Sequence, residues 1–196
     1  MKLATSPLPY LGLALGLLTG CGRDEAPAPA AEATYTRSVT YLDTASPSRL
    51  DSTFKSPVLK PFAWRRGTNF TIFLEPTTDR ETVAFGLVRA NLPANLVGTY
   101  TLKTKLDATK DADFSYRINT PNSPGYASLY DKTIYTPMGS LTITAYDATH
   151  QVVSGRFTVE LTNVSDPFGP VYQSIKRRCN LALQGTFTNA PIKDIE

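Results

Sequence analysis

Apolar and polar residues alternate with a period of two through much of this chain. Leu141, Ile143 and Ala145 line one face while Thr142, Thr144 and Tyr146 line the other. Val153, Gly155, Phe157, Val159 and Leu161 then repeat the pattern against Ser154, Arg156, Thr158 and Glu160. Such alternation marks a strand buried on one face. Between the two runs, Asp147-Ala148-Thr149-His150 predicts a hairpin turn, since the Asp147 carboxylate can accept from the backbone two residues on. Similar runs occupy Tyr35 to Leu42, Phe70 to Glu75, Thr82 to Arg89, Thr99 to Leu106, Phe114 to Ile118, Ile175 to Leu183 and Thr186 to Thr188. Beyond Thr34, no stretch places apolar residues at i, i+3, i+4 and i+7 over three turns. Ten Tyr and nine Phe, with abundant Thr and Val, favour the same all-β reading.

About nine or ten short strands separated by Pro, Gly, Asn and Asp predict a single antiparallel β-sandwich or an up-and-down, lipocalin-like barrel. Asp79-Arg80 reads as a tight hairpin and Leu92-Pro93-Ala94-Asn95 as a turn, so consecutive strands are expected to be neighbours. The breakers Asn119 to Gly125 and Asp166-Pro167-Phe168-Gly169-Pro170 predict surface loops.

The first residues follow a different rule. Lys2 is the only charge before Arg23, and Leu8 to Leu18 is apolar but shorter than the roughly 20 residues a membrane span requires. It reads as a secretory signal. Leu18-Thr19-Gly20-Cys21 resembles a lipobox, so residues 1–20 are expected to be a lipoprotein signal peptide and Cys21 the acylated first residue. An ordinary signal peptide with a chance cysteine is the alternative. Two or more acyl chains would make a lasting anchor. Gly22 is not the Asp that retains many lipoproteins at the inner membrane, which points to the outer membrane, and Arg23-Asp24-Glu25 resembles acidic surface-export signals. Residues 21–34 then form the acylated N-terminus and a Pro/Ala tether, since Ala26-Pro27-Ala28-Pro29-Ala30-Ala31 has nothing to bury. Residues 35–196 form one domain, long enough to bury roughly two thirds of its unfolded surface.

Charge and cysteine content exclude some classes. With Lys2 in the leader, 19 basic side chains stand against 17 acidic ones, which gives no electrostatic case for nucleic acid. Once Cys21 is acylated, Cys179 is the only thiol, so no internal disulfide is available. Cys179 is expected to be buried in a strand as a small hydrophobe.

Gly139-Ser140-Leu141-Thr142-Ile143-Thr144, Val153-Ser154-Gly155-Arg156-Phe157 and the closing Gly185-Thr186-Phe187-Thr188-Asn189 carry a resemblance. They resemble the C-terminal part of a group of small Gram-negative lipoproteins of uncharacterised role, with a G-x-L-x-I-T … V-S-G-x-F hairpin and a closing G-x-F-x-N strand. The resemblance implies an all-β lipoprotein and no catalytic residue. Lys176-Arg177-Arg178-Cys179 departs from the group's pattern.

The residues offer little to catalysis, and neither a catalytic set, a cofactor nor a metal site is assigned. His150 is the only histidine and falls in a predicted turn, which leaves no histidine metal cluster and a poor candidate for a Ser/His/Asp site. Asp107, Asp111 and Asp113 cluster as a calcium loop could, yet without its Gly and terminal Glu, so a solvated turn is expected. Residues that break the alternation remain as candidate ligand contacts. Arg89 follows Val83, Phe85 and Leu87 on a core face, and Arg177 lies between Ile175 and Cys179, so both are candidates for the mouth of a barrel, where a guanidinium could grip a ligand's carboxylate or phosphate. Each could instead reach water at a strand end. Trp64, beside Arg65 and Arg66, offers a stacking platform for a sugar or partner. Asp43-Thr44-Ala45 and Asp51-Ser52-Thr53 resemble bacterial O-glycosylation acceptors.

These observations favour a non-enzymatic, outer-membrane-anchored lipoprotein whose β domain binds a partner protein or an extracellular glycan. Its signature would be an exposed aromatic or apolar patch. The alternative is a lipocalin-like carrier with an interior cavity for a small hydrophobic or anionic ligand. A hydrolase stands third.

Overall fold

The computed structural model describes residues 27–43, 48–77, 81–107, 111–119, 127–168 and 177–196. The expected signal peptide, Cys21, the turn expected at Asp79-Arg80, the candidate acceptor Thr44, nearly all of the Asn119 to Gly125 loop and the last two residues of the Asp166 to Pro170 loop lie outside the described residues. Among the described residues there are eleven strands and one short 3-10 turn, and no helix is long and apolar enough to cross a membrane.

The strands are β1 (Glu32–Tyr41), β2 (Arg49–Lys55), β3 (Leu59–Arg66), β4 (Asn69–Pro76), β5 (Glu81–Val88), β6 (Gly98–Thr101), β7 (Ala112–Asn119), β8 (Ala127–Asp131), β9 (Met138–Asp147), β10 (Val152–Ser165) and β11 (Arg178–Ile195). Nine of them follow one curled path, β6-β9-β10-β11-β3-β4-β5-β7-β8, while β1 lies on β11 and carries β2 as an edge. The all-β architecture follows from the alternation: β1 runs exposed, then buried at every second residue from Ala33 to Tyr41. The predicted hairpin is β9–β10, and its turn is closed as expected by Thr149 N and His150 N donating to Asp147 Oδ1 at 2.8 and 3.1 Å.

The sheet is not purely antiparallel. The long β11 pairs with β1 from Cys179 to Thr188, runs past the start of β1, and then lies parallel to β3 from Ile192 to Ile195. One strand thereby belongs to two layers, β6-β9-β10-β11-β1-β2 and β3-β4-β5-β7-β8. From Arg178 onward the two runs predicted at Ile175 to Leu183 and Thr186 to Thr188 are thus a single strand, and β1 begins inside the expected tether, where Glu32 and Ala33 pair with Thr188 and Phe187. Neighbours are only partly consecutive, since β5 pairs with β7 and β6 with β9.

β2, β3 and β8 were not expected from the pattern. β2 is an edge strand of mostly exposed residues, so burial imposes little alternation on it. Pro61 obscures β3, yet it falls where β3 has a ladder partner only in β4, so no bond is lost.

The core lies between the layers. Phe85 of β5 meets Phe157 of β10 with ring centroids 5.1 Å apart and Phe114 of β7 at 5.6 Å. Cys179, as expected, is fully buried in β11, and burial pushes its thiol up to about 11.

Within this interior two charges meet. Arg37 of β1 and Glu81 of β5 form an ion pair, both less than a tenth exposed. Tyr35 Oη and Tyr116 Oη donate to Glu81 Oε2 at 3.0 and 2.7 Å, and Arg37 Nη2 donates to Ser52 Oγ at 2.8 Å. The Phe54 and Phe168 rings lie 5.5 and 4.5 Å from the guanidinium. This cluster joins the two layers. Burial, reinforced by the Glu81 charge, raises the Tyr35 and Tyr116 hydroxyls well above the ordinary range. Ser52, the acceptor of one glycosylation motif, is thus turned inward onto Arg37.

Candidate functional site

Strand pairing across the second layer places its outward residues in rows. Directly opposed residues in a ladder share a face. One row runs Phe62, Phe73, Ala84, Ser115 and Asp131 across β3, β4, β5, β7 and β8. The next runs Lys193, Trp64, Thr71, Gly86 and Asp113, entering from the end of β11. The buried set of these strands, Leu59, Ala63, Phe70, Ile72, Leu74, Val83, Phe85 and their like, has the opposite parity. Both rows therefore face away from the core.

Phe62, Trp64 and Phe73 form a cluster on this outer face. Phe62 stacks on Phe73 with centroids 5.1 Å apart and an interplanar angle of 16°, and Trp64 tilts against Phe73 at 4.7 Å and against Phe62 at 5.4 Å. Each ring remains half-exposed. Cross-strand aromatic contacts of this kind stabilise a sheet by about 0.5–1.5 kcal/mol beyond the area they bury. Their exposed parts also form an apolar patch on this face.

Beside the rings the floor drops. Ala84 and Gly86 carry almost no side chain, and with Thr71, Phe73 and Ser115 they form a shallow groove of about 360 Å³ bounded on the far side by Asp113, Asp131, Lys132 and Thr133. Lys103 Nζ donates to Asp113 Oδ2 at 3.2 Å, and Lys132 pairs with Asp113 Oδ1. Partial burial works against ionisation of Asp113, but the two lysines more than offset it and hold its carboxyl below the ordinary range. Asp131 Oδ1 accepts from Thr133 N at 2.9 Å and from Thr133 Oγ1 at 2.5 Å. An aromatic wall, a small-residue floor and a hydrogen-bonding wall thus face one open groove. Sites for organic ligands combine such parts.

The three candidate residues are not brought together. Trp64 stands in the aromatic wall. Arg89 does not face the core: the alternation of β5 ends at Val88, and Arg89 enters an exposed 3-10 turn where Nη1 donates to Gly67 O at 3.0 Å. Arg177 is also exposed, just ahead of β11, with Nε donating to Asp43 Oδ2 at 2.6 Å and its guanidinium 3.8 Å from the centre of the Tyr41 ring. The hydrogen bond and charge of Asp43 hold Arg177 outward and raise its already high pKa. No barrel mouth joins these two arginines. Asp113 belongs to β7 rather than to a turn and is already neutralised by lysines, which removes it from a calcium loop. His150 Nδ1 lies 2.6 Å from Asp147 Oδ2 and serves the hairpin turn. Among the described residues no group of three or more His, Cys, Asp or Glu is arranged to hold a metal.

Sequence reasoning missed Phe62 and Phe73 because their meeting depends on the β3–β4 register. It also missed Arg37 and Glu81, although a readable signal existed. Arg37 has the parity of Tyr35, Val39 and Tyr41, and Glu81 that of Val83 and Phe85, so opposite charges stood on two core faces.

Comparison with family models, curated proteins and solved structures finds no match to this chain.

Proposed function

We propose that the chain is a non-enzymatic lipoprotein, anchored at the outer membrane through acylated Cys21, whose β domain binds an extracellular glycan at the aromatic face of its second layer. One observation carries the reading: Phe73 lines an open groove whose floor is Ala84 and Gly86, and the half-exposed rings of Phe62 and Trp64 pack against Phe73 beside it. A pyranose ring has a face made only of C–H bonds, which an exposed indole or phenyl desolvates at little cost, while its edge carries hydroxyls that need polar partners. Thr71, Ser115 and Asp131 lie within the same rows and supply such partners. The Asp113 carboxylate, tied to two lysines, is built to orient rather than to transfer protons. The aromatic packing of Phe85, Phe114 and Phe157 between the layers supports a surface site over an interior carrier cavity.

A glycan array probed with the detergent-solubilised full-length protein tests this. Specific retention is expected, and Trp64→Ala should reduce it at least tenfold while the far-ultraviolet spectrum and cooperative melting are kept. Wild-type protein that retains no glycan would refute the reading.

A further inference from the structure

We infer that the glycan accepted at the aromatic face is an anionic polysaccharide, one bearing carboxylate groups along its chain; this rests on the reading above. The charge of the molecule is nearly balanced as a whole but not on this face. Lys60, Arg66, Arg117 and Lys193 occupy outward positions of β3, β7 and β11, and Lys103 and Lys132 reach its groove. Against them stand Glu75 opposite Lys60, Asp113 and Asp131. The cations outnumber the acids two to one here.

Two of these cations matter most. Arg66 follows Trp64 by two residues on the same face of β3, about 7 Å along the strand, and Lys193 is the ladder partner of Trp64, about 5 Å across. Neither makes an ion pair among the described residues, whereas Arg65, on the other face, is satisfied by Gln151 Oε1 at 2.7 Å and Tyr146 Oη at 3.0 Å. A sugar stacked on Trp64 therefore places a carboxylate substituent within reach of a guanidinium and an ammonium that the fold leaves open to ligand. Arg89, at the turn that follows β5, adds a further cation near Gly67. A neutral glycan would use the rings but leave these cations without counterpart.

Affinity electrophoresis of the detergent-solubilised full-length protein in gels containing polygalacturonate, neutral dextran or single-stranded DNA separates the possibilities. Polygalacturonate should retard the protein, dextran should not, and 0.5 M salt should weaken the retardation severalfold. Arg66→Ser with Lys193→Ser should weaken polygalacturonate binding about tenfold, and Trp64→Ala should abolish it. Equal retardation by dextran, or no effect of the double substitution, would overturn the anionic assignment and leave glycan binding standing. Equal retardation by DNA that survives Trp64→Ala would reduce the face to a polyanion attractor and overturn the assignment. No retardation by any polysaccharide would sink the functional reading itself.

Discussion

At the scale of single residues, Arg37 and Glu81 are the strongest commitment this chain makes. Each is buried, so the pair's attraction and its hydrogen bonds to Tyr35, Tyr116 and Ser52 have to offset the cost of removing two charges from water. Removing one partner strands the other. Glu81→Gln and Arg37→Met are each expected to destabilise the fold by about 3–5 kcal/mol, whereas Arg37→Met combined with Glu81→Leu should recover most of that loss. Urea titration of the three variants reads it directly; strict additivity would show that the two residues do not act together. Trp64 is the opposite case, half-exposed and replaceable in the fold, and its loss belongs to binding. Cys179 is legible from sequence as a buried thiol because it sits in an alternating run. For Arg177 the sequence offered the outward course as the alternative to a barrel mouth, but not its partners Asp43 and Tyr41, which are distant in sequence.

At the scale of elements, glycine shows where a strand tolerates no side chain. Gly155 stands at a register shift of β10, and a Cβ there would come within 2.4 Å of Thr142 O and 2.6 Å of the Phe187 ring. A Cβ on Gly185 would lie 2.6 Å from both Thr34 O and Tyr35 Cβ. Gly155→Ala and Gly185→Ala are each expected to cost about 1–3 kcal/mol through forced displacement of their neighbours. Gly67 is constrained by its backbone instead: φ is +53° and nothing lies near the missing Cβ. Gly67→Ala should cost about 1–2 kcal/mol, and Gly67→Asn, which tolerates that conformation, clearly less. Thermal melts that place Asn and Ala on the same footing at position 67 would refute this. The alternation of β1, β4, β5, β7, β9 and β10 was readable because each buries one face. The extent of β11 was not, since Gly185 reads as a break until β1 is seen to press against it.

At the scale of the whole molecule, the buried hydroxyls and thiol tie stability to alkaline pH. Burial, together with Asp166, raises Tyr41 to about 12, burial raises Cys179 to about 11, and Tyr35, Tyr116 and Tyr130 are also raised. The folded state therefore holds these protons more tightly than the unfolded chain. Their stabilisation is complete below the ordinary values of 9.0 for Cys and 10.0 for Tyr and is lost as pH rises through the raised values. The melting temperature should change little from pH 7 to 9 and fall steadily from 9 to 12; a flat profile to pH 12 would refute the account. For the proposed anchor at Cys21, metabolic labelling with palmitate should mark the wild-type protein, and Cys21→Ala should abolish the label. The sequence by itself determined the all-β class, the hairpin turn at Asp147 and the burial of Cys179, because each depends on spacing within a few residues and on what a half-buried strand must do with its side chains. Only the tertiary structure decided that β11 bridges two layers, that Arg37 meets Glu81 across 44 positions, and that Phe62, Phe73, Arg66 and Lys193 gather around Trp64. Those juxtapositions are fixed by strand order and register, which arise from packing between distant segments and leave no periodic trace in any one of them.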